Sequence, residues 1–166
     1  MIVLGIDPGT EVTGYGVVRG ESAHNPVLVE CGVIRTQARD ALPARLHAIH
    51  VGVTDVMTRH TPDVVCVEDV FYARNVRTTV TLGHARGVIL LAAAQFGATI
   101  RELAPREIKK AVVGNGAGTK EQVQFMVAQL LRLKSVPKPA DAADGVAAAL
   151  AYLIGAHTER LLRASR

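Results

Sequence analysis

The chain has 166 residues, 49% of them hydrophobic and 20% charged, which is apolar material for one folded domain and too little charge for a disordered chain. Nineteen Lys and Arg against fifteen Asp and Glu leave a formal charge of +4, which permits attraction to a polyanion without by itself indicating one. The longest apolar stretch, 87–98 (GVILLAAAQFGA), is broken by Gln95 and falls short of the ~20 residues that cross a bilayer, so no membrane partner is expected.

Three runs with strand character come first, 2–6, 13–19 and 27–34, separated by turn-rich segments around Pro8-Gly9 and 20–26. Connectors this short favour an antiparallel meander. From Asp40, which reads as an N-cap, Leu42, Leu46, Ile49, Val53 and Val56 recur at steps of four and three and define one apolar helix face that should end before Pro62. The run 64–67 (VVCV) is continuously apolar and ends in Glu68, as expected of a strand buried on both faces. A helix over about 78–96 and a strand over about 99–103 follow.

The remainder reads as helical. Pro105 suits the first turn of a short helix to Val112, and Thr119 with Gln122 forms a capping box ahead of Val123, Met126, Val127, Leu130 and Leu131. Pro137 and Pro139 separate that helix from a last one beginning near Asp141. The order of elements predicts an α/β fold with a mixed five-stranded sheet, three antiparallel strands followed by parallel ones, flanked by helices in a single domain over 1–166. A right-handed crossover lays the fourth strand parallel to the first, and Asp7 and Glu68 then end neighbouring strands roughly 5 Å apart. Ligands gather at that C-terminal edge in open α/β sheets.

Four carboxylates carry the chemical signal: Asp7 in GIDPGT, Glu68 in VCVEDVF, and Asp141 with Asp144 in DAADG. The last two stand at i and i+3 and project to one side of a helix. Each has a plainer role open to it: Asp7 in the Pro8-Gly9 turn, Asp141 as a helix cap with Asp144 in its first turn. Glu68 at the end of a buried strand needs some partner in any case. If all four converge, pairs ~4 to 5 Å apart repel by about 3 to 4 kcal/mol at an effective dielectric of 20, and the site requires cations. Oxygen ligands without Cys or a regular His motif favour Mg²⁺ or Mn²⁺ over Zn²⁺, and two such ions suit in-line hydrolysis of a phosphodiester by an activated water. Asp69 is left outside this set, because strand alternation points it away from Glu68.

The segments GIDPGT, VEDVFYARN, LGHARG, APREIKKAVVGNG, TKEQVQFMV and DAADGVAAAL, in this order and spacing, resemble the RuvC family of Holliday-junction resolvases over nearly the whole chain. The resemblance implies an RNase H-like fold, Asp7, Glu68, Asp141 and Asp144 as catalytic metal ligands, and two Mg²⁺ per site with Mn²⁺ as a substitute. It implies paired incision of a four-way DNA junction by a homodimer, leaving ligatable 5′-phosphate and 3′-hydroxyl ends, in recombination and repair. RuvA and RuvB, the branch-migration proteins, are the partners it suggests. Some relatives carry His in the terminal motif; here both positions are Asp.

Basic residues Arg74, Arg77, Arg101, Arg106, Lys109, Lys110 and Lys120 flank the acidic edge. Lys109 and Lys120 match basic positions of the family and are expected to bind phosphate, with Phe71, Tyr72, Arg74, Asn75 and Arg77 completing the DNA-contacting set. Phe71 matches the family's aromatic position after its catalytic Glu, and its ring is expected to stack on an unpaired base. For the dimer, the helix 78–96 is a candidate interface, since Gly83, Ala85, Gly87 and 92–94 permit close approach and Leu82, Ile89 and Leu90 offer apolar contact; packing of this helix on its own sheet alone is the equal alternative.

The six histidines show no ligand cluster, Cys31 and Cys66 lack CxxC spacing and read as buried free thiols, and GNGAGTKE lacks P-loop spacing. With no basic region before the first apolar run, and Asp7 inside it, export is not expected and the cytoplasm is the expected location. Two other readings stay open on the residues alone: an actin-like ATPase module, whose phosphate-binding turn also resembles DPGT, and a catalytically silent junction-binding protein.

Overall fold

The computed structural model describes residues 1–21, 25–69 and 76–164. Five strands, β1 (Ile2–Asp7), β2 (Val12–Arg19), β3 (Val27–Arg35), β4 (Val64–Glu68) and β5 (Thr99–Leu103), form one sheet in the order β3-β2-β1-β4-β5. The pairs β3-β2 and β2-β1 are antiparallel, and β1-β4 and β4-β5 are parallel. This is the mixed sheet expected, with β4 beside β1. Five helices accompany it: α1 (Leu42–His60), α2 (Val76–Phe96), α3 (Pro105–Val113), α4 (Lys120–Leu130) and α5 (Ala140–Ala164). Among the described residues no helix is long and apolar enough to cross a membrane.

Alternation along the strands divides the core in two. Leu4, Ile6, Val17, Val65 and Val67 face α1 and α2, where Ile49, Val53, Met57, Ala85 and Ile89 meet them. Val3, Val18, Val64 and Cys66 face the other way, onto Ile108 and Val112 of α3, Val123 and Val127 of α4, and the alanine-rich α5. By the same period of two, Asp7 and Glu68 point to the α5 side.

On that side the sheet is paved with glycine. A Cβ on Gly5 would lie 2.1 Å from the Gly145 carbonyl oxygen, one on Gly14 1.9 Å from the Asp141 carbonyl oxygen, and one on Gly16 2.6 Å from the Val146 Cα. Gly145 in turn sits against the Tyr15 backbone. Main chain of α5 therefore rests on main chain of β1 and β2, closer than side-chain packing allows.

Several expectations need correction. Asp40 does not cap α1; its N–H closes a turn to the Gln37 carbonyl, and the N-cap is Ala41, with Pro43 in the first turn where a missing N–H costs nothing. Helix α2 begins at Val76, two residues early, and Asp141 falls inside the first turn of α5. Ala85, Ile89, Ala92 and Ala93, expected in the dimer contact, are buried in the chain's own core. The open face of α2 carries Val76, Val80, Gly83, Gly87 and Leu91, with nothing within 4 Å of a Cβ placed on either glycine. Cys66 is buried, its thiol pushed up to about 12 by burial, whereas Cys31 is half-buried.

Candidate active site

β1 and β4 run in parallel register with Ile6 opposite Val67, so the next residues along, Asp7 and Glu68, leave the sheet side by side. Asp7 is also the register partner of Gly14 on β2. Because Gly14 has no side chain, the first turn of α5 settles against it and brings Asp141 over Asp7. One turn on, Asp144 reaches the same edge. The four carboxylates thus come from three elements, and the charges of Glu68, Asp144 and Asp141 all act on Asp7.

Their fields overlap. Burial raises the Asp7 carboxyl to about 8, and the nearby charges of Glu68, Asp144 and Asp141 add to the rise against an opposing Lys120. Glu68 is raised to about 7, first by burial and then by Asp144, with Lys109 and Lys120 working the other way. Carboxyls that hold protons near neutrality for these reasons are sites short of positive charge.

A cleft of ≈ 260 Å³ opens beside them, lined by Asp7, Glu68, Asp144, Lys109 and Lys120 over an apolar floor of Ile108, Val123 and Ala147. Asp141 does not line it. The Lys120 ammonium stands 2.6 Å from Asp144 Oδ2. As the side chains stand, no three His, Cys, Asp or Glu among the described residues form a set that could already hold a metal ion. The donor chemistry nonetheless suits one: acid oxygens on a rigid edge, two of them raised by burial and by neighbouring carboxylates, with an ammonium drawn onto a third.

The plainer role for Asp7 belongs to a neighbour, since the turn after β1 is tied by the Thr13 hydroxyl donating to the Gly9 carbonyl at 2.7 Å. Asp69 points away from the cleft, to Arg86 at 3.1 Å. Arg77 is exposed in the first turn of α2, Arg106 lies over Gly116 in the α3-α4 loop, and Lys110 is exposed near the end of α3. Phe71, Tyr72, Arg74 and Asn75 lie outside the described residues. His50 bonds Gln95 and His60 meets Glu30.

Two features of the site escaped the sequence reading. The glycine pavement is visible afterwards as small residues at every second position, Gly5 before Asp7 and Gly14 with Gly16 in GYG, facing Gly145 in the DAADG motif. The position of Lys120 against Asp144 had no signal beyond the capping box that fixes the start of α4, where Gln122 N–H donates to Thr119 Oγ1.

A family model described as crossover junction endodeoxyribonuclease RuvC matches residues 3–152. The chain is 44% identical to RuvC of Pelotomaculum thermopropionicum over 164 residues, covering 98% of this chain and 99% of the relative. It is 44% identical to RuvC of Syntrophomonas wolfei over 161 residues, covering 97% and 91% respectively. Among solved structures it resembles T. thermophilus RuvC in complex with Holliday junction substrate, with TM-score 0.91, 34% identity and 96% of each chain covered.

Proposed function

Because the chain belongs to the RuvC family of crossover junction endodeoxyribonucleases, we propose that its acidic edge is the nuclease centre, with Asp7, Glu68, Asp141 and Asp144 holding the divalent metal. As a member of that family it is a structure-specific DNA endonuclease that resolves Holliday junctions. The observation that carries the reading is the raised pair Asp7 and Glu68, side by side at one sheet edge under the start of α5.

The family is one of divalent-metal-dependent nucleases; Mg²⁺ is the ion we assign, two per site, with Mn²⁺ able to replace it. Bound there, the cation supplies Lewis acidity that eases deprotonation of the attacking water and offsets charge on the leaving oxygen. The chain's own residues do the rest. Asp7 and Glu68, fixed by the strand ladder, and Asp141 and Asp144, fixed by the glycine contact, are the residues that would hold the cation. The apolar floor keeps bulk water from the buried ends of these groups. Lys109 at the cleft wall binds a phosphate next to the scissile one, and Lys120 exchanges Asp144 for phosphate when DNA arrives.

The whole of 1–166 acts as one nuclease domain, and two copies pair so that both strands of a junction are cut. The exposed stripe Val76, Val80, Gly83, Gly87 and Leu91 supports pairing through α2. Phe71, Tyr72, Arg74, Asn75 and Arg77, in and after the segment that follows Glu68, contact the DNA near the crossover. The family points to RuvA and RuvB as partners and to the cytoplasm as location.

The test sets a synthetic four-way junction against linear duplex of the same sequence, each with and without Mg²⁺ or Mn²⁺. Symmetric incision of the junction alone, only with metal, is the expected result. Binding without incision identifies a silent junction binder, and ATP binding without metal-dependent nicking identifies an ATPase module.

A further inference from the structure

On the sheet face away from the cleft, Arg86 of α2 reaches the ends of two strands at once. Its Nη2 lies 3.1 Å from Asp69 Oδ1 and also pairs with Glu102 Oε2. Asp69 directly follows Glu68, the last residue of β4, and Glu102 is the register partner of Val67 on β5. The Asp69 N–H donates to the Leu103 carbonyl at 2.9 Å, so the β4-β5 ladder runs one residue beyond Glu68. One guanidinium thus ties the two parallel strands together where Glu68 turns toward the cleft.

The arrangement is not explained as a stabilising ion pair. Asp69 and Glu102 are half-exposed, at 53% and 45%, and pairs of that kind contribute little to stability. The guanidinium itself is costly to place, since its side chain is 21% exposed and its Nε is buried without a hydrogen-bond partner among the described residues. What one guanidinium nitrogen shared by two carboxylates supplies is a link between the strand ends that carry them. Glu68 and Asp69 are adjacent and point to opposite faces, so holding Asp69 also holds the peptide that aims Glu68.

We propose that Arg86 is a positioning residue for the nuclease reaction, fixing Glu68 from behind by clamping Asp69 to Glu102. The proposal rests on the reading of Glu68 as a catalytic carboxylate. Arg86→Met removes the donor nitrogen that both acids share, and Asp69→Asn weakens the same clamp at a half-exposed position that tolerates the change.

Both variants, their double and Glu68→Gln are compared in cleavage of a synthetic junction, in junction affinity without cleavage, and in thermal melting. Each clamp variant should lower kcat by roughly 10- to 100-fold, as loss of a group that orients a catalytic ligand does. Junction Kd and the melting temperature should stay near wild type, and the double variant should be no slower than the worse single one, because both changes break one device. Wild-type kcat in both clamp variants, or a kcat loss matched by a loss of melting temperature, overturns the proposal while leaving the active site as assigned if Glu68→Gln is inactive. Wild-type turnover of Glu68→Gln instead removes Glu68 from the active site and the proposal with it. Should Arg86→Met fail to fold, Asp69→Asn alone decides.

Discussion

The Lys120 ammonium lies 2.6 Å from the Asp144 carboxylate, so a cation of the protein's own already sits among the acids that are to hold a metal. Its position follows from the capping box at Thr119, which makes Lys120 the first residue of α4 and leaves it at the cleft rim. The same ammonium lowers the proton affinity of Asp7 and Glu68. It serves the acidic edge as a counter-charge and is also the group best placed to meet a phosphate.

Lys120→Met and Lys109→Met should therefore each weaken junction binding and reduce the slope of log K against log salt by about 1, as loss of one phosphate contact does. Lys120→Met should in addition make the metal-free protein less stable at pH 8 and enlarge the gain on adding Mn²⁺. Fluorescence titrations at several salt concentrations and melting curves check both. An unchanged salt slope would return the lysine to the ordinary solvated surface.

Asp7→Asn, Glu68→Gln, Asp141→Asn and Asp144→Asn remove one oxygen charge each at nearly constant volume. Cleavage should fall by more than about a hundredfold in each, the scale on which a principal electrostatic group counts, while junction affinity is kept. Calorimetric titration with Mn²⁺ should show weaker binding in parallel. Asp141 is the member to watch, since it does not line the cleft.

The raised carboxyls set a pH dependence whose sign can be worked out. With Asp7 at about 8 in the folded protein and 3.8 as its ordinary value, the metal-free native state holds a proton that the unfolded state has lost between those limits. Stability must then fall as pH rises from about 4 to about 8, with Glu68 contributing up to about 7. Divalent metal, which binds the deprotonated groups, should lift the alkaline end most. Urea unfolding at pH 5 and pH 8 with chelator measures this, and Asp7→Asn should flatten the slope.

Gly14→Ala places a methyl 1.9 Å from the Asp141 carbonyl oxygen, where backbone has to move. A loss of about 1–3 kcal/mol or more is expected from overpacking of this kind, read by urea unfolding. Because the displaced turn carries Asp141 and leads to Asp144, cleavage should drop well beyond what the unfolded fraction accounts for. Activity that tracks the folded fraction alone would show that α5 tolerates the shift.

Phe71→Ala should leave melting and Mn²⁺ binding close to wild type but impair junction cleavage, the stacking of one base being worth ~1–3 kcal/mol. A junction with unpaired bases at the crossover should restore part of the rate. An equal defect on both substrates would mark Phe71 as a packing residue.

Much of this was legible because strands and acids obey local rules. A right-handed crossover between strands that end in Asp7 and Glu68 put the two on a common edge, and the register of β1 with β4 has them leaving the sheet together. The capping box at Thr119 and Gln122 was a local signal and formed as written. What could not be read required knowledge of a distant neighbour. The face of α2 is one case: its apolar residues surround the helix, so no periodicity separates Ile89, which the core buries, from Leu91, which it leaves exposed. Asp40 is another, since a good capping residue lost its place to Ala41 once Pro43 set the start of α1.

The glycine contact between α5 and the β1-β2 ribbon also bears on how such a site can change over generations. Where a helix is spaced from a sheet by side chains, its height can be adjusted a methyl group at a time. Here Gly5, Gly14, Gly16 and Gly145 leave no such increments, because each is already the smallest residue and the next size collides with main chain. The side chains at 141 and 144 can be exchanged in place, but they cannot drift. The ribbon and the start of the helix are heritable only as a unit, and a designer grafting this acidic edge onto another scaffold has to carry both across together.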